Sequence, residues 1–162
     1  MSAPPIRMPE ERDQAEWLRL RRALWPDCAP DQHELEMGTV LADADRAAVF
    51  VSPASSSQDE RLAGFVELAL RPWYEGCPGS PVAYVEALFV TPEERGRGVG
   101  AALLAAFEAA VASRSRHAFL LVSDFNRPAQ AFYRRHGYAE VGRLPALVVP
   151  GIDELVYWKR LR

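Results

Sequence analysis

Ten residues in the middle of the chain, Thr91-Pro92-Glu93-Glu94-Arg95-Gly96-Arg97-Gly98-Val99-Gly100, carry its densest chemical signal. The glycines let the backbone turn tightly and expose its amide hydrogens, and the start of a following helix adds partial positive charge. Arg95 and Arg97 contribute fixed cations suited to phosphate, so the stretch reads as an anion cradle. The Lys-Ser or Lys-Thr pair of a P-loop is absent. Gly96-x-Gly98-x-x-Ala101 does meet the loose dinucleotide pattern, with Asp124 placed after the next strand as a ribose acceptor, but only about 60 residues follow, half of such a domain. A tight turn with solvated arginines accounts for any one of these residues and less well for six in a row.

The elements around the cradle follow from hydrophobic period and punctuation. Trp17, Leu20 and Leu24 recur at helical spacing from Pro9-Glu10-Glu11 to Pro26, and a weaker helical pattern covers 31–41. Apolar runs at 47–51 and 62–70 read as a hairpin across a serine-rich loop, and 83–90 is the clearest strand. Between them, 71–81 reads as a loop carrying Trp73 and Tyr74, placed to cover a site. A helix over 98–114 presents Val99, Leu103, Phe107 and Val111; a strand over 119–122 follows, then a helix capped by Asn126 and stopped at Gly137. Strands at 138–143 and 153–160 finish the chain. The order reads strand, two helices, a three-strand meander, helix, strand, helix and two strands, a mixed α/β (α+β) sheet in one domain over 1–162.

In this strand-loop-helix setting, Arg95-Gly96-Arg97-Gly98-Val99-Gly100 resembles the Arg/Gln-x-x-Gly-x-Gly/Ala motif of the GNAT superfamily of N-acetyltransferases. Asn126, Ala129, Phe132-Tyr133 and His136-Gly137-Tyr138 resemble that family's second mark. The resemblance implies a mostly antiparallel central sheet flanked by helices, and acetyl-coenzyme A as cosubstrate. It places pyrophosphate on the amides of about 96–101 (Gly96, Arg97, Gly98, Val99, Gly100, Ala101), with Arg95 and Asn126 beside them. Pantetheine would pair with Leu88, Phe89 and Val90, in a splay between the parallel strands 83–90 and 117–122. Tyr133 is implied as proton donor to the departing sulfur.

A free amine with a pKa near ~10 is protonated at neutral pH, so its attack on a thioester needs a proton acceptor. Glu86 is the first choice, because burial within an apolar strand would raise its pKa and make it a better base, directly or through water. The bland reading is a carboxylate paired with an arginine across the sheet. Glu67, on the neighbouring strand, is the substitute. Cys28 and Cys77 lack an adjacent activating base, which favours direct transfer in a ternary complex over a covalent route.

From 17 to 100 the chain looks more particularly like bacterial aminoglycoside N-acetyltransferases, through Trp17-Leu-Arg-Leu-Arg-Arg-Ala-Leu-Trp25-Pro, Gly64-Phe-Val-Glu67 and Ser80-Pro-Val-Ala-Tyr-Val-Glu86. A polycationic sugar wants carboxylates and aromatic faces, and Trp25, Glu67, Trp73, Tyr74, Glu86 and Asp124 supply them. The last third departs from that subgroup: Phe132-Tyr133 stands where its members often carry His, and 144–153 is an extra segment. The acceptor is thus open between a drug or sugar amine, another small amine and a peptide N-terminus. A coenzyme-binding sensor without turnover is the non-enzyme alternative.

Composition narrows the setting. Hydrophobic residues make up 49% of the 162, enough for a real core, and a net charge of −3 gives no general pull towards nucleic acid or anionic lipid. Two scattered cysteines suit a reducing, cytoplasmic compartment, and His33, His117 and His136 read as surface or helix-end residues, so no metal is expected. The start, 1–12, holds no signal sequence or membrane span. A homodimer is an open expectation, with the strand at 153–160 available to pair across it.

Overall fold

The computed structural model describes residues 4–55, 60–72 and 81–162. Within them the chain forms α1 (Gln14–Leu24), α2 (Pro30–Ala42), β1 (Ala47–Pro53), β2 (Leu62–Pro72), β3 (Pro81–Val90), α3 (Val99–Val111), β4 (His117–Ser123), α4 (Arg127–Arg135), β5 (Ala139–Val149) and β6 (Ile152–Arg160). The strands make one sheet in the order β1-β2-β3-β4-β6-β5, in which only β3 and β4 run parallel. The mixed, mostly antiparallel sheet is the expected architecture.

Period-2 alternation gives each strand two faces, and different helices cover them. On one face Trp17 and Leu20 of α1 and Met37 of α2 bury against Val49, Val51, Phe65 and Ala87. On the other, Val99, Leu103, Phe107 and Val111 form the inward stripe of α3 against Val66, Leu68 and Val85, joined by Tyr133, Leu155 and Tyr157. Between β2 and β3 the chains approach so closely that a Cβ at Gly64 would stand 2.4 Å from the Phe89 carbonyl, so only glycine fits there.

Four expectations change. The opening strand is an isolated bridge between Arg7 and Val51, since the prolines around it have no amide to extend a ladder. The segment 144–153 is no separate insertion: β5 runs on to Val149, pairing through Leu144↔Glu154 and Val149↔Ile152 around a bulge. Asp153 holds that bulge by accepting from the Ala146 amide at 3.2 Å and from Arg143 at 2.9 Å. β6 therefore lies inside the sheet, with both edges taken by β4 and β5, and has none to offer a second copy; the free edge belongs to β5. His33 is also not at the surface but buried on the inner side of α2.

Candidate active site

The cradle is built where a short 3-10 turn (Pro92–Glu94) hands over to α3. Gly96 at φ 76° and Gly98 at φ 82° are left-handed, a conformation that costs an L-residue roughly 1–2 kcal/mol. A Cβ at either position would point into open space, so the two glycines turn the backbone and leave a concave approach to it. Among the described residues nothing accepts from the amides of 96–101, whereas Ala102 already donates to Gly98 at 3.0 Å. These are the orphan donors of a helix start, and they suit a pyrophosphate. Arg95 donates Nε to the Val90 carbonyl at 3.1 Å and pins the loop to β3; Arg97 lies 3.6 Å from Glu94 with its head in solvent. Phe132 of α4 packs beside the first turn of α3, where a Cβ at Gly100 would meet its ring in ordinary contact at 3.4 Å.

Beside the cradle the sheet opens. β3 and β4 pair only through Ala83↔Ala118 and Tyr84↔Phe119; past those rungs β4 continues with β6 and β3 with β2. The edge of β3 from 85 to 90, including Leu88, Phe89 and Val90, therefore faces a gap with backbone groups available to an extended, amide-bearing arm. This is the splay the family resemblance implies. The free amides, the concavity and the open edge together fit acetyl-coenzyme A.

α4 closes the gap from below. Asn126 caps it by accepting from the Ala129 amide at 3.2 Å. Its other end is a Schellman turn: Tyr138 donates to Tyr133 O and Gly137, at φ 86°, to Arg134 O, with the Tyr138 and Tyr133 rings 5.7 Å apart. Gln130, fully buried, ties the helix to the end of β4 by donating Nε2 to the Asp124 carbonyl at 2.9 Å. These restraints hold Tyr133 in the core cluster that Leu88, Val90 and Phe132 pack against. Burial pushes its phenol well above its ordinary value, so it remains a proton donor through neutral pH.

Glu86 overturns its expected burial. β3 carries one residue more than β2 between Leu68↔Val85 and Glu67↔Ala87, and Glu86 is that bulged residue. Its side chain is 39% exposed and its Oε1 lies 2.7 Å from Arg71 of β2, the cross-sheet pairing that was the bland reading. Next to it runs an aromatic strip that sequence reasoning missed: Tyr84 and Phe119 at 5.8 Å, then Trp158 facing Phe119 across the β4/β6 ladder and stacked on His117 at 6.0 Å. Trp158 donates Nε1 to His117 Nδ1 at 3.0 Å, which places the imidazole proton on Nε2. α1 and α2 cover this face over β1, β2 and part of β3, while Leu121 and the half-buried Trp158 mark where the cover ends. The alternation of Phe119 and Leu121 with the buried Ala118, Leu120 and Val122 was the available signal.

The remaining predicted residues divide. Glu67 is 3% exposed beneath α1, where Trp17 donates to it at 2.8 Å and Arg21 grips both its oxygens, so it opens onto no acceptor. Desolvation pushes its carboxyl up, against the pull of Arg21. Trp25 closes α1, half-buried, with the Arg21 guanidinium 4.9 Å from its ring. Asp124 stands at the end of β4, accepting from the Asp153 amide at 3.4 Å and 3.9 Å from Arg143, apart from the aromatic strip. Cys28 is a free thiol beyond α1. Trp73, Tyr74 and Cys77 lie outside the described residues.

Comparison with known proteins agrees with this geometry. The family model described as acetyltransferase (GNAT) family matches residues 15–138. An aminoglycoside N(6')-acetyltransferase type 1 of Stenotrophomonas maltophilia is 39% identical over 158 residues, covering 92% of this chain and 95% of its own. One of Klebsiella aerogenes is 39% identical over 109 residues, 66% of this chain and 70% of its own. Among solved structures, AAC(6')-Iy in complex with the bisubstrate analogue CoA-S-monomethyl-acetylneamine superposes with a TM-score of 0.75 at 30% identity, covering 88% of this chain and 95% of that one. The chain belongs to the GNAT family of N-acetyltransferases, enzymes that take their acetyl group from acetyl-coenzyme A.

Proposed function

We propose that this enzyme acetylates a primary amine of a small polycationic acceptor, an aminoglycoside or a similar polyamine, by direct transfer in a ternary complex. The observation that carries the reading is the placement of the Glu86 carboxylate and the Tyr84–Phe119–Trp158 strip on one sheet face, beside the open edge of β3. A carboxylate attracts an ammonium, and aromatic faces receive sugar rings and their cationic substituents. The 39% identity to named aminoglycoside acetyltransferases supports the same acceptor class.

Acetyl-coenzyme A brings an activated thioester. The cradle 95–101 holds its phosphates and the β3 edge orients its arm. Glu86 accepts, directly or through a water, the proton that the ammonium must lose before its nitrogen can form a bond to the acetyl carbon. Half-exposed beside Arg71, Glu86 attracts the ammonium and passes on its proton. The Tyr133 hydroxyl gives a proton to the sulfur as the carbon–sulfur bond breaks, and the second proton that the nitrogen loses on becoming an amide restores that hydroxyl. A homodimer would form along the free β5 edge, where Val141, Leu147 and Val148 are exposed. Among the described residues no helix is long and apolar enough to cross a membrane, and we place the enzyme in the cytoplasm, with no nucleic-acid partner.

Thiol release from acetyl-coenzyme A with aminoglycosides, polyamines and short peptides tests the reading. Aminoglycoside-dependent release, slowed by Glu86→Gln through a higher KM and a lower kcat, supports it. Release with peptides alone moves the acceptor to a protein N-terminus; coenzyme binding without release for any amine leaves a sensor.

A further inference from the structure

We propose that Arg71 is an internal stand-in for the acceptor's ammonium, holding Glu86 until a cationic acceptor displaces it and so selecting polycations over monoamines. The inference rests on the reading that Glu86 faces the acceptor. Arg71, next to last in β2, reaches across the ladder to Glu86 Oε1 at 2.7 Å; no other cation pairs with Glu86 among the described residues. The pair is open to solvent, the two side chains 61% and 39% exposed, so little holds it against a competing cation. The guanidinium also lies 5.9 Å from the Tyr84 ring, at the near end of the aromatic strip. It thus occupies both contacts that a bound ammonium would make, the carboxylate and the aromatic face.

Displacement by a monoamine exchanges one ion pair for another and leaves a guanidinium of like charge close by. A polyamine gains further contacts along the strip with its remaining charges, so it bears that exchange better. Arg71 therefore raises the KM of every cationic acceptor, and raises it most for those with a single charge. It touches neither the cradle nor Tyr133, and an acceptor that has reached Glu86 has already displaced it, so it acts on KM, leaving coenzyme affinity alone and kcat little changed.

The test is steady-state thiol release with a monoamine, a triamine and an aminoglycoside, using the wild type, Arg71→Gln, Arg71→Lys, Glu86→Gln and the Arg71→Gln/Glu86→Gln double variant. Calorimetric binding of coenzyme A and thermal melting confirm that each variant is folded. Arg71→Gln is expected to lower the monoamine KM roughly fivefold and the aminoglycoside KM less, with kcat within about twofold. Arg71→Lys, which keeps the charge, retains the wild-type KM, and Arg71→Gln changes nothing in the Glu86→Gln background. A KM that is unchanged or raised in Arg71→Gln, while Glu86→Gln still raises it, overturns the proposal and leaves the site reading standing. Equal KM in Glu86→Gln and the wild type for all three acceptors removes the site reading and the proposal with it.

Discussion

The coenzyme half and the acceptor half of this site are built on different principles. The cradle and its supporting helix use backbone groups from two contiguous stretches, 95–101 and 126–138, and their geometry rests on the left-handed Gly96, Gly98 and Gly137. The acceptor face is assembled from side chains of four strands, Arg71, Tyr84 with Glu86, Phe119, and Trp158, brought together by ladder register and one bulge. In the proposed site the first half would meet a constant ligand through atoms that every residue has. The second can change its acceptor by changing side chains without moving the frame. Substitutions should therefore separate cleanly into those that cost coenzyme binding and those that cost acceptor binding.

The largest effect is expected beneath the acceptor half, where Arg21 and Glu67 fasten α1 to β2. Arg21→Met leaves Glu67 buried without its cation and should destabilise the fold by about 3–5 kcal/mol in urea unfolding. Arg21→Met/Glu67→Leu should recover most of that loss; a single variant costing under ~1 kcal/mol would mean that α1 is held by its apolar contacts alone.

Tyr133→Phe comes next, lowering kcat by about 10²-fold with the KM for both substrates little changed. Burial raises the Tyr133 phenol above its ordinary value near 10, so no alkaline fall in rate should come from it between about pH 7 and 9. The sign of the linked stability follows: the unfolded phenol ionises first, so the contribution is complete below the ordinary value and is lost as the pH rises past it. An unchanged kcat in Tyr133→Phe would reduce the residue to core packing.

In the coenzyme half, Gly98→Val forces a branched side chain into a left-handed conformation and fills the approach to the free amides. Coenzyme affinity should fall roughly tenfold or more by calorimetry, while binding of an aminoglycoside to the free enzyme is unaltered. Loss of both together would erase the separation between the halves.

Legibility follows the same division. The cradle, Asn126, the Gly137 stop and the order of the main elements are local signals, each carried by a few adjacent residues, and the structure has them where sequence reasoning put them. Glu86 was identified but given the wrong surroundings, because an extra residue in β3 is invisible until the register with β2 is known. Glu67 lies buried beneath α1 where Glu86 lies open, and nothing near 67 in sequence announces Arg21, 46 positions earlier. The aromatic strip was missed for the same reason: Phe119 and Trp158 are 39 residues apart and meet only through the β4/β6 ladder. The extent of β5 depended on Asp153 accepting from Ala146, a contact with no local sequence mark.

The smallest effect is also the most discriminating. Trp158 sits at the far end of the strip, half-buried, with Nε1 on His117 and its ring plane within 26° of the imidazole's. Trp158→Leu keeps an apolar residue in β6 but removes the flat surface on which a second sugar ring would rest, worth about 0.5–1.5 kcal/mol. The KM for an aminoglycoside should rise about two- to tenfold, with kcat and coenzyme affinity unchanged and the monoamine KM untouched, because a small acceptor ends before it reaches that rung. An equal rise for the monoamine would place Trp158 at the reacting amine and shorten the acceptor site to one ring. A fall in coenzyme affinity would instead show that β6 transmits strain across the splay to β3, and the two halves would then share one rigid frame.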